Sequence, residues 1–138
     1  MKARCILNNL NSSLLTQETA TRLKRYISFP DGELNLVMDK EYIVYGIEFR
    51  DNCPWLYICI DEQDEYPIPL AADFFQITDT RLSAHWQLNF KETSNGRNQT
   101  QLVFTEWATD KIYYEKLISG DANAEAIFQK YKNILAAE

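Results

Sequence analysis

The sequence predicts an α+β fold, a small curled, barrel-like antiparallel sheet with an N-terminal helix and two C-terminal helices, all in a single domain over 1–138. Three observations carry this. Apolar alternation of period two runs through the middle of the chain, helical periodicity of 3.6 marks both ends, and turn chemistry separates the segments. A chain of 138 residues with 46% apolar and 13% aromatic side chains buries a core without staples.

The opening KARCILNNL reads as a first strand. In TQETATRLKRYI, Thr16 caps a helix whose Ala20, Leu23 and Ile27 share one face, with Glu18 early and Arg22, Lys24 and Arg25 late, matching the helix dipole. FPDGE ends it. KEYIVYGIEF, residues 40–49, reads as one strand, with Ile43, Tyr45, Ile47 and Phe49 on one face and Tyr42, Val44 and Glu48 on the other. RDNCP is a turn. The next strand, PWLYICI, places Trp55 and Tyr57 opposite Leu56, Ile58 and Ile60. FFQIT, HWQLNF and QLVF complete the sheet, with SNGRNQ as a polar turn before the last. In HWQLNF, Trp86, Leu88 and Phe90 take one face, leaving His85, Gln87 and Asn89 on the wet face. TDKIYYEKLISG is a helix capped at Thr109 and closed by Gly120. Asp121 caps a final helix with an apolar stripe of Ala124, Ile127, Phe128, Tyr131 and Leu135.

Charge is distributed unevenly. The net value is −6, yet residues 1–30 carry five basic side chains against Glu18 alone, a balance of +4. Residues 31–79 carry twelve acids against Lys40 and Arg50, a balance of −10, and residues 80–138 balance to zero. Such a segment repels nucleic acid and attracts a basic partner. Its densest part is DEQDE, with Asp61, Glu62, Asp64 and Glu65, followed by Tyr66 and preceded by Trp55 and Tyr57. Aromatics beside charge suit a binding surface, which makes Asp61, Glu62, Asp64, Glu65, Tyr66, Trp55, Asp73 and Asp79 the candidate partner-binding residues. A solvated charge run and a core role for the aromatics remain the plain alternatives.

Catalysis and metal binding find no motif. The run lacks the D-x-[DN]-x-[DN]-G pattern of a calcium loop, and its neighbouring carboxylates do not face each other across a sugar. His85 is the single histidine, the chain has four scattered glycines, and there is no G-x-S-x-G elbow. No catalytic residue, metal or cofactor is expected. Cys5, Cys53 and Cys59 lack C-x-x-C spacing and are expected to be reduced. No apolar run approaches the roughly 20 residues of a membrane span, and the N-terminus lacks a signal-peptide pattern. A cytoplasmic protein, binding neither membrane nor nucleic acid, is the expectation.

The stretches KEYIVYGIEFRDNCPWLYICID, YPIPLAADFFQITDTRLSAHWQLNF and TEWATDKIYYEKLISGDANAEAIFQKY, within residues 34–135, resemble small bacterial immunity proteins of polymorphic toxin and contact-dependent growth inhibition systems. The resemblance implies a cytoplasmic, non-enzymatic toxin inhibitor, whose toxin is often a nuclease with a basic surface. An acidic protein surface mimics the phosphate backbone such a toxin expects. The competing class is a non-enzymatic protein- or peptide-binding module.

Overall fold

The first strand, β1 (Lys2–Cys5), leads into helix α1 (Gln17–Lys24) in the computed structural model, which describes residues 1–92 and 98–138. Thr16 caps α1 as its sequence predicts, its hydroxyl accepting from the Thr19 N–H at 3.1 Å. Strands β2 (Glu41–Ile43), β3 (Gly46–Arg50), β4 (Cys53–Ile58), β5 (Ile68–Ala71), β6 (Phe75–Asp79), β7 (Trp86–Glu92) and β8 (Asn98–Phe104) follow. Helices α2 (Thr105–Thr109), α3 (Tyr113–Ile118) and α4 (Ala122–Ala137) close the chain.

The α+β class is observed, but the sheet is not one curled barrel. The strands form two antiparallel sheets, ordered β2-β1-β6 and β5-β4-β3-β8-β7. The segment 40–49, expected as one strand, divides between them at Val44–Tyr45. Val44 joins the core between the sheets, whereas Tyr45 joins the core under the helices. Gly46 follows the crossing, and a Cβ there would meet Val103 Cγ1 at 3.0 Å, so the glycine permits close packing of β3 against its neighbours.

The five-stranded sheet is a middle layer. Ile47, Leu56, Ile58 and Leu70 on one face pack with Ala3, Cys5, Tyr42 and Phe75 of the smaller sheet and Leu23 of α1. Tyr57 and Val103 on the other face pack with Trp107, Leu117 and Phe128 from the helices. Of the α4 stripe, Ala124, Phe128, Tyr131 and Leu135 are buried and Ile127 is half-buried against the same core, and Asp121 caps the helix by accepting from the Ala124 N–H.

Other differences have local causes. Between β3 and β4 the turn is as expected, with Asp51 and Asn52 both at positive φ (51° and 61°), the backbone of a two-residue hairpin loop that Asp and Asn tolerate. β5 was hidden in the sequence by Pro67 and Pro69, which signal a loop, yet an edge strand accommodates proline. Thr109 ends α2 rather than capping the next helix, so three helices rather than two complete the chain, and Gly120 closes α3 at φ 86°. The expected SNGRNQ turn falls largely on residues outside the described ones.

All three cysteines are free. Cys53 opens β4 and Cys59 directly follows its last residue, Ile58, so the two stand about 20 Å apart at ~3.3 Å per residue, too far for a disulfide. Burial pushes the Cys59 thiol up to about 12, with Asp64 adding to the rise and Lys132 opposing it, and burial also raises Cys5. Native alkylation at mildly alkaline pH is therefore expected to modify Cys53, leaving Cys5 and Cys59 until denaturant is added. Mass spectrometry of the labelled chain checks this, and early modification of Cys59 would contradict it.

Candidate functional site

The acidic run lies in the loop between β4 and β5, and its shape comes from its own side chains. Asp64 Oδ2 accepts from the Asp61 N–H at 3.0 Å, and Asp61 Oδ1 accepts from the Gln63 N–H at 2.9 Å. Two aspartates thereby fold the loop back on itself, as short acidic side chains do in turns. The helices fasten it. Lys132 of α4 donates to the carbonyls of Glu62 and Asp64, the latter at 3.0 Å. Tyr114 of α3 donates its hydroxyl to the Pro67 carbonyl at 2.7 Å. Glu62, Glu65 and Tyr66 are left exposed at the surface.

Folding decides how much of the −10 segment still presents unpaired charge. Four ion pairs bring the basic N-terminal segment onto it: Lys2–Glu41, Arg4–Asp39, Arg22–Asp73 and Arg25–Asp51. Arg50 holds Glu48 and Arg81 holds Asp79, whose carboxyl the Arg81 hydrogen bonds keep well below the usual carboxylate range. Among the described residues, the acids of the segment without an ion pair are Asp31, Glu33, Asp61, Glu62, Asp64 and Glu65. The exposed pairs among these add little stability, but all of them cancel field. The 61–65 loop keeps the densest negative charge, moderated by Lys132 beneath it.

The eight candidate residues therefore do not form one surface of equal members. Trp55 is 1% exposed and belongs to the core, edge-on to Tyr26 with Arg50 over its ring. Asp73 is bound by Arg22 through both carboxylate oxygens at 3.0 Å. Asp79 is paired with Arg81. Asp61 and Asp64 shape the loop, while Glu62, Glu65 and Tyr66 face outward. Lys132 and Tyr114 were missed, since neither position carries a local signal linking it to a loop some 50 to 70 residues earlier.

His85 has a constellation around it without catalytic geometry. Ser83 donates its hydroxyl to Glu138 Oε1 at 2.7 Å rather than to the imidazole, and His85 Nε2 stands 3.9 Å from the same oxygen. A nucleophilic relay needs the histidine between hydroxyl and carboxylate. Among the described residues no group of three His, Cys, Asp or Glu side chains converges as a metal site, and no helix is long and apolar enough to cross a membrane.

The loop architecture makes a local prediction. Asp64→Ala removes the acceptor for the Asp61 N–H, whereas Asp64→Asn keeps an oxygen there. Hydrogen exchange of the Asp61 amide is expected to accelerate in the alanine variant and much less in the asparagine variant, with global stability changed by about 1 kcal/mol or less. Equal exchange in both would show that the aspartate does not shape the loop.

Comparison with known proteins finds no match to this chain among protein-family models, curated proteins or solved structures.

Proposed function

We propose that this chain is a non-enzymatic immunity protein that neutralises a bacterial toxin domain, a nuclease being the favoured class, by presenting the 61–66 loop to the toxin's basic surface. The observation that supports this reading most is the charge compensation. The fold pairs Asp39, Glu41, Asp51, Asp73 and Asp79 with cations yet leaves Glu62 and Glu65 outward on a loop anchored from two helices. A fastened loop loses less conformational entropy on binding than a free one. Its carboxylates stand where a toxin's lysines and arginines expect phosphate oxygens, and Tyr66 supplies an aromatic contact beside them. Asp31 and Glu33 form a secondary acidic site. The role requires the protein in the cytoplasm, where the incoming toxin acts.

Co-expression with the toxic C-terminal domain of a neighbouring toxin gene tests this directly. The reading expects a complex that survives purification and cells that survive the toxin. Failure of this chain to bind the domain or to protect the cells would overturn it, as would turnover by the purified protein on a substrate of its own.

A further inference from the structure

The connection between β4 and β5 runs over nine residues, 59–67, where hairpin loops commonly have about two to five. A loop of that length with four carboxylates would sample many shapes, through both chain entropy and like-charge repulsion. Two side chains from the helix layer prevent this. Lys132 follows Phe128 by one turn of α4, and its Nζ stands 5.9 Å from the centre of that fully buried ring, so packing holds the stem. The ammonium forms no ion pair with a loop carboxylate; it donates instead to the Glu62 and Asp64 carbonyls, while Asp61 and Asp64 accept from the loop's own amides. Glu62 and Glu65 are thereby left without a cation although one lies beneath them. Tyr114, stacked on Trp107 at 5.5 Å, donates to the Pro67 carbonyl, one residue beyond Tyr66.

We propose that Lys132 and Tyr114 are specificity-determining positioning residues of the 61–66 surface: neither needs to touch the partner, and together they turn a generally anionic loop into a fixed pattern of Glu62, Glu65 and Tyr66 that only a matching basic surface fits. The role rests on the loop being the toxin-binding site. For Lys132 the geometry has two effects of opposite sign. Its charge opposes an approaching cation, so removing it quickens encounter, about twofold at low salt for one unit charge several ångströms away in water. Its two hydrogen bonds hold the loop in shape, so removing them loosens the complex, about tenfold in dissociation rate when a handful of loop side chains must be ordered on binding. Tyr114 carries no charge and acts on shape alone. Loss of shape matters to a folded partner, whose cations are fixed in space, and not to a flexible cationic chain, which adapts to any arrangement of carboxylates.

Binding kinetics of the toxic C-terminal domain of a neighbouring toxin gene, measured on wild type, Lys132→Met, Lys132→Arg and Tyr114→Phe, test this, with a hexa-arginine peptide as the probe of charge alone. Met and Arg are good helix formers and Phe keeps the stacked ring, so the fold is expected to stand in all three. Lys132→Met is expected to associate about twofold faster and dissociate about tenfold faster. Lys132→Arg, which keeps charge and donors, is expected to restore the wild-type dissociation rate, and Tyr114→Phe to dissociate about fivefold faster at an unchanged association rate. Hexa-arginine, followed by NMR shifts of the loop amides, is expected to bind Lys132→Met at least as tightly as wild type. A Lys132→Met complex that dissociates no faster overturns the proposal and leaves toxin binding by the loop standing. So does a Lys132→Met chain that associates more slowly, or that loses hexa-arginine along with the toxin domain, since either is the mark of a general structural fault. A wild-type chain that binds hexa-arginine at the loop but never the toxin domain overturns the proposed function instead, and the specificity role with it.

Discussion

Replacing Arg50 with Met is expected to destabilise the protein by about 3–5 kcal/mol, because it leaves a buried carboxylate without its counter-charge. Glu48 is 2% exposed and sits on the helix-facing side of β3. Arg50 Nε donates to its Oε2 at 2.6 Å, and Gln101 Nε2 and the Tyr57 hydroxyl donate to Oε1 at 2.7 and 3.1 Å. Arg50 in turn lies over the Tyr26 and Trp55 rings, 5.3 and 4.8 Å from their centroids, so its removal costs packing as well as charge. The double variant Glu48→Gln/Arg50→Met removes the orphaned charge and is expected to recover a large part of the loss. Urea unfolding of the three proteins measures it. An Arg50→Met loss below about 1 kcal/mol would show that Tyr57 and Gln101 suffice to hold the carboxylate.

Phe128→Ala is expected to cost about 3–5 kcal/mol, a substantial fraction of a total stability of roughly 5–15 kcal/mol. Phe128 is fully buried, edge-on to Tyr45 at 5.3 Å, and is the middle of the stripe by which α4 covers the sheet. Its loss opens a cavity between rigid partners, since Phe104 and Tyr131 beside it are stacked at 4.1 Å and cannot collapse inward freely. Truncation after Gly120 removes the whole stripe and the Lys132 fastening of the loop, so cooperative unfolding and near-ultraviolet dichroism are expected to vanish. A truncated chain that unfolds as cooperatively as the intact one would contradict this packing.

What the sequence made legible was chemistry confined to a few neighbouring residues. Thr16 and Asp121 declare helix starts, Asp51 and Asn52 declare a turn, and the α4 stripe declares its buried face. The division of 40–49 between two sheets was not legible, because the strand pattern runs through Val44 and Tyr45 without a turn signal and only distant partners, β1 for one half and β8 for the other, decide. Nor was the exposure of Leu88 and Phe90, which follows from β7 lying outermost. The candidate site was half legible. Charge counting located the DEQDE loop, but only the folded arrangement of Arg4, Arg22 and Arg25 shows that much of the remaining acidity is paired, and only packing turns Trp55 inward.

In the proposed function, the outward carboxylates of the 61–65 loop steer a basic toxin. The most direct measurement is the association rate of that toxin domain with the wild-type chain and with Asp61→Asn/Glu62→Gln/Asp64→Asn/Glu65→Gln, each across a range of salt. Amides keep the acceptor oxygens that shape the loop, so the variant changes charge and little else. The wild-type rate is expected to fall steeply as salt shortens the range of the field, and the variant to associate about tenfold more slowly at low salt with a flatter dependence. An unchanged rate and an unchanged salt slope, with full protection of cells, would contradict the claim and leave the loop a solvated surface.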